Sequence, residues 1–150
     1  MIAIGILLDQ ITKWLAVIFL KGNPSVPSFV EWFMQFTYVE NRGAAWGMFA
    51  DQRWVFITIS TVAIIGVLLY IYLKRPKDKL LMASLALIIA GGIGNMIDRL
   101  RLGYVIDMIE VEFINFPVFN VADCFITCGC VLLILHLIFF NKEFWKDGKK

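Results

Sequence analysis

Four long apolar runs constrain this chain more than any other feature: Met1 to Leu20, Trp54 to Leu73, Leu80 to Ile97, and Phe119 to Phe140. Each approaches the roughly 20 residues that a helix needs to cross a bilayer's hydrocarbon core. Composition agrees, with 60% hydrophobic and 17% charged residues, against about 45–50% apolar and about 25% charged in soluble domains. A soluble globule is excluded on that ground. An aromatic share of 15% and a net charge of +2 exclude a disordered or nucleic-acid-binding chain. The first run lacks a basic stretch before it and contains Asp9 and Lys13, so it is read as a retained transmembrane helix rather than a cleaved leader.

Basic residues orient the spans. Lys74 to Lys79 holds four Lys or Arg in six residues, and the tail at 141–150 holds Lys142, Lys146, Lys149 and Lys150. The longer loops, 21–53 and 98–118, are sparsely basic. The positive-inside rule therefore places both termini and the 74–79 loop in the cytoplasm and both long loops outside. An even number of spans agrees with termini on one side.

The outer loops are not plain linkers. Phe29 to Val39 and Tyr104 to Phe113 are rich in aromatic and β-branched residues with partial alternation, which predicts a small extracytoplasmic sheet. Gly43 to Phe49 reads as a short interfacial helix. The expected architecture is a membrane all-α, four-helix bundle with a β-element formed by the two outer loops, all in one domain, 1–150.

Polar residues in spans are costly and so are candidates for function. Asp123 falls about one turn below the outer end of the fourth run, with Asn120 at its mouth. Asn95, Asp98 and Arg99 share a face at the outer end of the third by their three- and four-residue spacings. Asp107 follows a turn at Gly103, and Asn41 with Arg42 belongs to the first outer loop. These groups converge on one rim, where Asp107 and Asp123 are free to meet. Two nearby carboxylates sharing a proton can activate water with one member and donate with the other. The sole histidine, His136, lies about 20 Å deeper than Asp123. Ser60 and Ser84 have no outer-face lysine as a base, and no cluster has metal-ligand spacing.

Plainer roles compete. Asn120 and Asp123 suit the first turn of a helix as caps, and Asp107 resembles a solvated strand residue like Glu110 and Glu112. Asp9 and Lys13, four apart near mid-span, read as a buried ion pair below the rim. Cys124, Cys128 and Cys130 read as small packing residues, and His136 as a core or interfacial one. A non-enzymatic transporter or lipid-binding protein, using its carboxylates for ions or protons, is the alternative from another class.

Five strings in order, Asp9-Gln-Ile-Thr-Lys13, Glu40-Asn41-Arg-Gly-Ala-Ala45, Gly94-Asn95-Met-Ile-Asp98-Arg99, Gly103-Tyr-Val-Ile-Asp107 and Phe119-Asn120-Val-Ala-Asp123, resemble the lipoprotein signal peptidase (signal peptidase II) family over nearly the whole chain. The resemblance implies an aspartic endopeptidase of the bacterial cytoplasmic membrane with its site at the outer leaflet. It implies cleavage of prolipoproteins before a diacylglyceryl-modified cysteine, with membrane lipid as neighbour and neither metal nor other cofactor. It makes Asp107 and Asp123 the catalytic pair, Asn41, Asn95, Arg99 and Asn120 the residues around substrate or pair, and Asp9, Lys13 and Asp98 structural polar residues. Trp46 and Met108 stand where the family usually has Phe, which leaves the chemistry intact and touches the contact surface.

Overall fold

The computed structural model describes residues 1–23, 32–43 and 51–140. These form helices α1 (Ile2–Phe19), α2 (Arg53–Lys74), α3 (Lys79–Arg101) and α4 (Val121–Phe139), with strands β1 (Met34–Asn41) and β2 (Val105–Val111) in one antiparallel sheet. All four helices are long and apolar enough to cross a membrane. The expected fold class, four apolar helices with a small sheet from the two outer loops, is therefore the observed one. Two boundaries differ: α3 runs on to Arg101, so Asp98 and Arg99 are helical rather than in a loop, and α4 begins at Val121 with Asn120 as its N-cap. The short helix expected over 43–49 falls almost entirely outside the described residues, as does the start of the strand expected from Phe29.

Small residues let α3 approach its neighbours. A Cβ on Gly91 would clash with the Ala122 carbonyl, and one on Gly129 would lie 2.8 Å from the Ser84 carbonyl. The α3–α4 pair is therefore close and antiparallel. On its other flank α3 runs parallel to α1: Gly5 meets Ala90, and a Cβ on Gly94 would lie 2.5 Å from Asp9 Oδ2. Gly5 is three residues into α1 while Ala90 is eleven into α3, so α1 starts about 12 Å further along their shared direction.

The sheet sits over the ends of α1 and α3. Ile106 and Met108 face Ala16 of α1, forming a buried core joined by Leu20, Tyr38 and Tyr104. Met108 is thus a core residue at 4% exposure, not a contact surface. On the opposite strand face lie Val105 and Asp107. Thr37 and Tyr38 together oppose the single partner position Met108, a bulge that shifts the pairing between Phe36 and Val39. Because side chains alternate along a strand, the extra residue changes the phase and puts Phe36, Val39 and Asn41 on one face. After β2 the chain returns so that Phe119 pairs with Ile109, its N–H donating to the Ile109 carbonyl at 3.0 Å. That pairing delivers Asn120 beside Asp107.

Candidate active site

The first turn of α4 is the scaffold. Asn120 Oδ1 accepts from the Asp123 N–H at 3.0 Å, and Asp123 Oδ2 accepts from the Asn120 N–H at 3.1 Å, a reciprocal capping box. The capping role considered from sequence is therefore realised. It occupies only one carboxylate oxygen of Asp123. The other, Oδ1, accepts from Asn95 Nδ2 at 2.7 Å, across the α3–α4 contact.

Asp107 reaches the same place from β2. Its Oδ1 accepts from Asn120 Nδ2 at 2.6 Å and its Oδ2 from Asn41 Nδ2 at 2.8 Å. Asn120 Nδ2 is also 3.1 Å from Asn95 Oδ1, so the two amides couple the two aspartates. Asp107 is 2% exposed and is not the solvated strand residue considered from sequence. Burial, reinforced by the Asp123 charge, pushes its carboxyl up to about 6 against the opposing pull of the Asn41 and Asn120 hydrogen bonds.

Both carboxylates line a cavity of about 800 Å³, with Asn41, Asn95, Arg99 and, from α2, Phe56 on the same wall. The Arg99 guanidinium lies 4.8 Å over the Phe56 ring and donates to the Gly43 carbonyl at 3.4 Å. A cation is thus held beside the acids without forming a direct ion pair with either among the described contacts. All six residues expected at the site are brought together.

Two expectations need correction. Asp9 does not lie well below the site, because the stagger of α1 on α3 sets it level with Gly94, and its Oδ1 accepts from the Ala122 N–H of α4 at 3.0 Å. Depth counted along one helix misses the offset between helices. Asp9 satisfies a buried N–H in the first turn of α4, at Ala122, which is fully buried, and with Asp98 it holds Lys13 at 3.0 Å in each case. Asp98 Oδ2 also accepts from the Ile106 N–H at 3.1 Å, tying β2 to α3. The second correction concerns the cysteines. Cys128 and Cys130 are exposed, while Cys124 and Cys128 line the cavity rather than filling a core.

Gln10 escaped the sequence reading. Its amide donates to Asp9 Oδ2 and Asp98 Oδ1, each at 3.1 Å, and only its position inside an apolar span could have flagged it. Tyr38 donates to Glu40 at 3.2 Å, and Lys21 lies 3.1 Å from the same carboxylate, holding it below the usual range. At the other end of α4, His136 puts Nδ1 3.3 Å from Asp78. Among the described residues no group of three His, Cys, Asp or Glu side chains could hold a metal ion.

Four membrane-length helices, a two-stranded sheet and a pair of amide-linked aspartates on a cavity wall define an integral membrane protein with the outline of a hydrolase. Residues 1–139 match the family model for signal peptidase (SPase) II. The chain is 48% identical to the lipoprotein signal peptidase of Caldanaerobacter subterraneus subsp. tengcongensis over 92% of its length and 93% of that protein. It is 40% identical to that of Clostridium tetani over 99% and 95%. A bacterial membrane enzyme solved by the in meso method at 2.3 Å superposes with a TM-score of 0.86 at 27% identity, covering 95% of this chain and 87% of the other. The chain belongs to the signal peptidase II family and is a multi-pass bacterial membrane protein.

Proposed function

We propose that the chain removes signal peptides from prolipoproteins by aspartic catalysis, with Asp107 and Asp123 as the catalytic pair. Family membership carries the activity. The observation that supports the catalytic assignment is two carboxylates on one cavity, each holding amide donors from Asn120 or Asn95 and one raised to about 6. Near neutral pH such a pair holds at most one proton. One aspartate takes a proton from water as the hydroxide adds to the scissile carbonyl carbon. The other protonates the oxygen that forms and, as the C–N bond breaks, the departing nitrogen receives a proton from the pair. Arg99 supplies positive charge near the developing oxyanion. Asn41, Asn95 and Asn120 orient the carboxylates.

The cavity is lined by Asn41 and Asp107 of the sheet and also by Ser60, Gly92 and Thr127 within the helices, which suits a substrate whose diacylglyceryl chains stay in lipid while water reaches the peptide bond. With the basic 74–79 loop and tail inside, the sheet and site face the outer leaflet. Nucleic acid has no place in this reading. The carboxylate best suited to a transporter's ion site, Asp9, has Oδ1 taken by Ala122 and Oδ2 by Lys13 and Gln10, so that alternative is not favoured.

The test is purified Asp107→Asn and Asp123→Asn with a diacylglyceryl-modified prolipoprotein in detergent. Each variant should fold and bind yet fail to cleave, and a chelator should not inhibit the parent. Near-normal turnover by either would refute the two-aspartate mechanism. Orientation is checked by labelling Lys77→Cys in a cysteine-free background from each side; modification from outside would overturn it.

A further inference from the structure

Lys13 reaches the aspartate pair through a single amide. Its ammonium is 2% exposed and has three close acceptors: Asp9 Oδ2 at 3.0 Å, Asp98 Oδ2 at 3.0 Å and Asn95 Oδ1 at 2.9 Å. An ammonium has three donors and no acceptor, so it is fully used. Two of these contacts are those of a buried ion pair. The third is not required by charge balance, since it falls on a neutral amide.

That contact fixes which way the amide faces. Because the ammonium only donates, the Asn95 oxygen must point at Lys13, and the NH₂ group is left to donate to Asp123 Oδ1 at 2.7 Å. The same oxygen accepts from Asn120 Nδ2, which also donates to Asp107 Oδ1. Reversing Asn95 would set its oxygen against the Asp123 carboxylate and its NH₂ against both the ammonium and the Asn120 NH₂. Lys13 thereby fixes the sense of the Asn95 donor to Asp123, while the helix cap, with Asn120 Oδ1 accepting from the Asp123 N–H, fixes that of Asn120.

We propose that Lys13 is a positioning residue for peptide cleavage, locking the Asn95 amide so that its NH₂ faces Asp123 and its oxygen faces Asn120. The inference rests on the two-aspartate reading. A purely structural Lys13 would matter to folding and not to the turnover of folded molecules. A positioning Lys13 matters to both, and the two effects can be separated.

Asp9, Lys13 and Asp98 together carry a formal charge of −1, and Asp9→Asn/Lys13→Met leaves the same −1 on Asp98. Asn at position 9 keeps an acceptor for the Ala122 N–H. The double variant should therefore recover most of the thermal stability lost by Lys13→Met alone in detergent. With a diacylglyceryl-modified prolipoprotein its kcat should stay about 100-fold below the parent, the scale of a misplaced catalytic group, with KM within about threefold. Lys13→Met/Asp98→Asn, with the same net charge, is the second variant. A folded double variant with kcat within about threefold of the parent overturns the proposal. Failure of both doubles to fold also overturns it, since the ammonium would then serve the fold itself. Asp123→Asn run alongside separates the two ideas: if it cleaves normally, the two-aspartate reading falls. If it is inactive while a folded double is normal, only the role of Lys13 falls.

Discussion

Helices α2 and α3 are both long apolar spans, yet they are built on opposite terms. In α3 44% of the most apolar window is buried, while in α2 the share is 6%. The difference follows from what each carries. Helix α3 bears Asn95, Asp98 and Arg99, whose polar groups must find partners in a medium without water, and Gly91 and Gly94 let α4 and α1 come close enough to provide them. Helix α2 brings no charged side chain inward from its apolar stretch. Its main neighbour is α3, where Ile64 meets Gly92 and Thr61 donates to Met96 Sδ at 3.5 Å. Phe56 closes one side of the cavity. Dense packing in this molecule follows the polar network, not hydrophobicity.

The largest expected effect tests whether the dense side carries the chemistry. Asp107→Asn or Asp123→Asn should lower kcat by at least about 10³-fold, in the range for loss of a general acid or base, with substrate binding retained in a pull-down from detergent. Next comes packing. Gly91→Val in α3 should cost more than about 3 kcal/mol, beyond ordinary overpacking because the clash is with backbone, and is read as lost folded yield on size exclusion.

A smaller effect sharpens the reading of the pair through pH. The Asn41 amide stabilises the ionised form of Asp107, so Asn41→Ala should move the limb of kcat/KM that Asp107 sets, expected near pH 6, upward by about half a unit to one unit. A downward shift would contradict the attribution of that limb to Asp107. The same group sets a stability trend. Its folded pKa of about 6 exceeds the ordinary value of 3.8, so its contribution favours the fold at low pH and is lost as pH rises from about 4 to 6. Relative to the parent, Asp107→Asn should gain up to about 3 kcal/mol across that window, measured as the difference in thermal midpoints at pH 4 and pH 7.

The smallest effect lies in α2. Gly66 has no atom within 4 Å of where a Cβ would stand, so Gly66→Ala should leave activity unchanged and raise stability by up to about 1 kcal/mol through helix propensity. A loss comparable to that of Gly91→Val would erase the contrast between the two helices.

The four spans, the pairing of the loops as a sheet, and the set of polar residues around Asp107 and Asp123 were all legible along the chain. Run length, β-branched content and polar residues in apolar stretches are local properties, so they can be read along the chain. Tertiary structure alone decided how α1 is staggered on α3, and with it that Asp9 caps α4 and that Lys13 touches Asn95. It also decided the bulge that puts Asn41 on the face of Asp107, and that Cys124 lines the cavity. Each of these is a register between segments distant in the chain. It is set by where glycines allow backbones to touch and by which buried donors find acceptors, and neither condition is written in one segment alone.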